Sequence, residues 1–95
     1  MYLGSYEFDG DPVVLSAAYD RFVGGFPSGT FTLHVCTRRP GGITVIDACP
    51  SEDAFRPFSS SPELHGAFTA AGLPRPTVEP LGEVHASYVA ADVGR

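Results

Sequence analysis

Residues 30–49, TFTLHVCTRRPGGITVIDAC, constrain the fold more than any other stretch. Two β-rich runs flank Arg39-Pro40-Gly41-Gly42, where proline presets φ and glycine accepts a positive one, which is turn chemistry. In the first run Phe31, Leu33 and Val35 alternate with Thr32, His34 and Cys36, giving one apolar face and one mixed face. A turn symmetric about Pro40-Gly41 sets His34 opposite Asp47 and Cys36 opposite Val45. A turn one residue longer or shorter would send His34 and Asp47 to opposite faces. A lone hairpin is marginal in water, so the rest of the chain has to cover this one.

The cover is legible in order. Tyr2 to Phe8 reads as a strand with Tyr2, Tyr6 and Phe8 on one face and Leu3 and Ser5 on the other. Asp11-Pro12 reads as an N-cap followed by the first helical position. Leu15, Ala18, Tyr19 and Phe22 then form a helical stripe that Gly24-Gly25 stops. After the hairpin, Ser51 caps a helix whose first turn carries Glu52 and Asp53, and Pro57 is expected to kink or end it after about a turn and a half. Ser61-Pro62-Glu63 restarts a helix with Leu64, Phe68 and Ala71 as its stripe, and Gly72 with Pro74 finishes it. A last strand falls between Val78 and Val89, its edges blurred by Pro80 and Gly82.

The order β-α-β-β-α-β is the ferredoxin-like plan: an α+β fold with a four-stranded antiparallel sheet and helices on one face. The 95 residues make one domain, spanning 1–95. At this length only roughly 60–65% of the unfolded surface is buried, so the core is modest. The helix-free face would expose Tyr, Phe, Val or Leu according to phase, and a symmetric homodimer packing sheet on sheet is the economical cover.

Composition removes several functions. The formal charge of −5 argues against nucleic acid or an anionic membrane surface as partner. Arg38-Arg39, the adjacent basic pair, reads as solvated charge at a turn. The chain has no Lys, Asn, Gln or Trp, which removes Schiff-base and P-loop chemistry, N-glycosylation and Asn-dependent catalysis. Cys36 and Cys49 are not spaced as a CxxC motif and read as buried thiols in strands. The opening MYLGSYEF has neither a charged leader nor an apolar core segment, and no apolar run is long enough to span a bilayer. The expectation is a soluble protein of the reducing cytoplasm with both thiols free.

The runs AYDRFVGGF, ITVIDACPSEDAFRPF and LHGAFTAAGLPRPTVEPLGEVHASYV, with the hairpin between them, resemble small bacterial proteins of the dimeric α/β-barrel superfamily. The group contains the antibiotic-biosynthesis monooxygenase-like proteins. The likeness is one of pattern, an acidic helix start after the third strand and AAGL before the fourth. It implies two ferredoxin-like protomers pooling their sheets into one barrel, with small-molecule pockets between helices and sheet. Relatives include cofactor-free oxygenases acting on polycyclic phenols, haem-degrading enzymes and isomerases. The haem-degrading branch uses an Asn, Trp and His set, and the oxygenase branch also uses Trp and Asn. This chain has neither residue type, so only the His part has a counterpart.

Three histidines and a few phenols are left to carry chemistry. His34 beside Asp47 would have its tautomer fixed by a carboxylate, as a general base requires, with Tyr6 or Tyr2 on the neighbouring strand as phenolic donor. The competing reading is a satisfied structural His–Asp pair. His65, at the edge of the last helix's stripe, would overlook the pocket and bind haem iron or polarise a carbonyl, against a plain surface role. His85 is expected to pack in the fourth strand. The histidines share no short metal-binding spacing, and no G-x-S-x-G elbow seats a triad. Tyr2, Tyr6, Tyr19, Phe8 and Phe31 read as core first and pocket wall second. The expectation is a cofactor-independent, monooxygenase-like homodimer acting on or binding a small aromatic or polyketide-like molecule, with His34 or His65 as base and Asp47 and Tyr6 beside it. The alternatives are a non-catalytic homodimeric ligand-binding or interaction module, and an isomerase or cyclase using the His–Asp pair alone.

Overall fold

Alternation decides the first element. In β1 (Tyr2–Asp9), Tyr2, Tyr6 and Phe8 are buried on one face while Leu3 and Glu7 lie half-buried on the other. The structure, a computed structural model, describes residues 1–89. Helix α1 (Pro12–Gly24) follows from its cap: the Asp11 carboxylate accepts from the amides of Val13 and Val14, and Pro12 takes the first position. Leu15, Ala18 and Phe22 are its buried stripe.

Strands β2 (His34–Arg39) and β3 (Gly42–Cys49) form the hairpin, with Gly41 at φ +83°. The turn is the symmetric one, pairing Arg39 with Gly42, Cys36 with Val45 and His34 with Asp47. Two expectations change here. The first strand starts at His34 rather than Phe31, so Phe31 is free to turn off the strand line. And it is the mixed face, His34 and Cys36, that meets the helices, while Val35 points away and is 42% exposed. Large aromatics on β1 and α1 already fill the helix side, so the small and polar residues of β2 complete it.

Arg39 is also not loose turn charge. It lies in β2, its Nε 2.9 Å from Glu7 Oε1 and 3.2 Å from Thr44 Oγ1, with Nη2 3.0 Å from Asp9 Oδ1. Thr44 Oγ1 donates to the same Glu7 oxygen at 2.7 Å. This cluster ties β2, β3 and β1 together on the helix-free face. Arg38 remains exposed.

Helix α2 (Glu52–Ser59) is capped by Ser51, and α3 (Pro62–Ala71) by Ser61, each hydroxyl accepting an amide hydrogen of the first turn. Pro57 does not end α2, which runs on to Ser59. The proline removes one bond, to the Asp53 carbonyl, and sits close enough to the end for the last turn to survive. Gly72, at φ +94°, closes α3 in the left-handed conformation that glycine adopts without a Cβ clash.

Strand β4 (Thr77–Glu83) begins earlier and ends sooner than the sequence suggests. It pairs antiparallel with β1, Pro80 opposite Gly4 and Gly82 opposite Leu3, with a bulge between. As an edge strand it tolerates a proline that cannot donate to the ladder. His85 falls beyond it and is exposed, so it does not pack within the strand. The result is an α+β fold: a four-stranded antiparallel sheet in the order β2-β3-β1-β4 with three helices, compatible with a ferredoxin-like plan. Helix α1 packs on β2, β3 and α3, while α2 covers β1, β3 and β4. Among the described residues no helix is long and apolar enough to cross a membrane.

Candidate functional site

The helices do not close fully on the sheet. Between them lies a cavity of about 380 Å³, within the size range of small-molecule sites. Its walls are aromatic and aliphatic: Phe8 and Tyr6 from β1, Tyr19 and Phe22 from α1, Phe58 from α2, Leu64 and Phe68 from α3, with Phe26 and Phe31 from the α1–β2 connection. Phe22, Phe68 and Phe8 pack ring on ring, with centroids 4.9 Å and 5.2 Å apart, and make a rigid floor.

A polar pair interrupts this apolar lining. The symmetric hairpin register puts His34 Nδ1 3.1 Å from Asp47 Oδ1, both side chains 10% exposed. A carboxylate oxygen accepts, so Nδ1 carries the hydrogen, and in the neutral form of the ring Nε2 is left as an acceptor. That Nε2 is buried and has no hydrogen-bond partner among the described residues. The buried Tyr6 hydroxyl also has none. Both residues line the cavity with Asp47. Two unpaired buried polar atoms in residues that line an apolar cavity are a departure from the usual satisfaction of buried groups.

The imidazole is held by more than Asp47. Tyr19 stacks nearly parallel to it at 5.6 Å, interplanar angle 20°, and Phe31 covers it at 4.1 Å. The neighbouring phenols are hard to ionise. Burial, then the Asp47 charge, pushes the Tyr6 phenol well above its ordinary range, so it is a donor at any working pH. Burial foremost, with Cys36, Asp20 and Asp47 adding, raises Tyr19 to about 12. Cys36 and Cys49 are both free, and burial pushes each thiol up, which disfavours the nucleophilic thiolate.

The four residues singled out in the sequence therefore separate. His34, Asp47 and Tyr6 share one cavity, and His65 does not line it. His65 Nε2 lies 2.8 Å from the Ser59 carbonyl, which can only accept, so the ring donates and ties α3 to the end of α2. Its edge meets Phe68 at 5.6 Å, beside a separate hollow of about 50 Å³. Tyr2 packs against Phe55, with centroids 5.5 Å apart, and is not among the cavity-lining residues. Tyr19 and Phe31 are what sequence reading missed as partners of His34. The signal was Pro27-Ser28-Gly29, turn residues just ahead of Phe31 that argue against a strand beginning there. Among the described residues no group of three or more His, Cys, Asp or Glu side chains is placed to hold a metal ion.

Comparisons with family models, with curated proteins and with solved structures found no match.

Proposed function

We propose that the chain binds a small, largely apolar aromatic molecule in this cavity and activates it by proton abstraction, as a cofactor-independent monooxygenase-like protein. The observation that carries the reading is the pairing of one bound and two unbound polar groups. His34 Nδ1 is fixed by Asp47, while His34 Nε2 and the Tyr6 hydroxyl, buried atoms of two cavity-lining residues, have no partner among the described residues. In this reading Nε2 takes a proton from an O–H or C–H acid of the ligand. Asp47 holds the tautomer and stabilises the imidazolium that forms, and Tyr6 donates to the oxygen that gains charge. The missing Trp and Asn mean that the residues borne by the resembling oxygenases are not reproduced, so the His–Asp–Tyr set has to act alone.

An oxygen electrode with a panel of phenolic substrates tests this directly. Uptake that falls at least about a hundredfold in His34→Ala, the usual scale for losing a positioned base, supports the reading. His65→Ala is expected to leave uptake unchanged. Binding without oxygen uptake or proton transfer for any panel member would favour the second reading, a non-catalytic ligand-binding module. The close stacking of His34 between Tyr19 and Phe31 favours that reading.

The same proposal includes a homodimer of ferredoxin-like protomers forming a barrel. Its support is the helix-free sheet face, where Val35 is 42% exposed and Leu3, Ile46 and Ala48 are half-buried. Native mass spectrometry is expected to give a dimer that Ile46→Asp dissociates; a monomer at micromolar concentration would remove the barrel from the reading.

A further inference from the structure

Among the described residues lining the cavity Asp47 is the sole carboxylate, and none is an arginine. An anionic ligand would therefore enter an apolar space with no cation to meet it and a carboxylate already present, a costly combination at low dielectric. The aromatic faces act in the opposite sense. Tyr6, Tyr19, Phe22, Phe31 and Phe58 line the space, and an aromatic ring attracts positive charge over its face. The two unpaired atoms agree: neutral Nε2 needs a donor, and a phenol oxygen accepts one. The field of Asp47 reaches the phenols of both Tyr6 and Tyr19, on two walls of the cavity.

We infer that the cavity selects its ligand by charge, taking an aromatic molecule that carries a protonated amine and rejecting one that carries a carboxylate. This rests on the reading of the cavity as a ligand site and adds the ligand's class. The amine N–H groups would meet His34 Nε2 and the Tyr6 oxygen, with Asp47 behind the imidazole as counter-charge.

The test is isothermal titration at pH 8, above the ordinary histidine range. It uses three ligands of one shape: 2-naphthylmethylamine, 2-naphthylmethanol and 2-naphthoate. The amine is expected to bind at least about tenfold tighter than the alcohol, and the naphthoate about tenfold weaker, each step being 1.4 kcal/mol. Asp47→Asn keeps an acceptor for Nδ1–H and is expected to collapse that spread while the alcohol still binds. Naphthoate binding as tightly as the alcohol overturns the charge selection and leaves the ligand site standing, as does a spread that survives in Asp47→Asn. Failure of all three to bind overturns both. The wild-type ranking decides by itself should Asp47→Asn not fold.

Discussion

At the scale of single residues, the side chains that cost the fold something are the ones to which the proposal gives a role. A buried hydroxyl with no partner loses its water without compensation, so Tyr6 is a liability to the free protein. Tyr6→Phe is expected to raise the unfolding free energy by about 1 kcal/mol in urea denaturation while weakening ligand binding. A structural tyrosine with a satisfied hydroxyl would instead lose stability on the same change. The raised phenols also set an alkaline limit. Tyr6 and Tyr19 stay protonated in the folded chain above 10.0, where the unfolded chain gives up its protons. The unfolded state then binds fewer protons than the native one, so stability falls as pH rises past that value. Denaturation midpoints measured from pH 8 to 11 should decline above pH 10, and less steeply in Tyr6→Phe.

At the scale of elements, what the sequence discloses is what local chemistry decides. The caps at Asp11, Ser51 and Ser61 and the turn at Pro40-Gly41 depend on neighbouring residues only, and each is where the residue types place it. The hairpin register, and with it the His34–Asp47 pair, follows from the turn alone. Which face of β2 turns inward does not, because that depends on how much room the aromatics of β1 and α1 leave. Nor does the bulged path of β4, since Pro80 is acceptable only once β4 is known to lie at the sheet edge. The seam between β1 and α2 is another non-local feature. A Cβ added at Gly4 would overlap the Phe55 ring, which packs on Tyr2. Gly4→Ala should therefore cost roughly 1–3 kcal/mol by overpacking, read as a lowered thermal midpoint.

At the scale of the whole molecule, three helices over one face of a short sheet enclose a core that is incomplete at its centre. The rings of Phe8, Phe22 and Phe68 pack on one another, and all three line the cavity. Whether the His34–Asp47 pair serves the cavity is read from the protonation of one ring. Long-range proton–nitrogen correlation of ¹⁵N-labelled protein at pH 8 should show His34 with its hydrogen on Nδ1 and a bare Nε2 that shifts on adding 2-naphthylmethanol. A hydrogen on Nε2 in the free protein, or an Nε2 resonance indifferent to saturating ligand, would contradict that role.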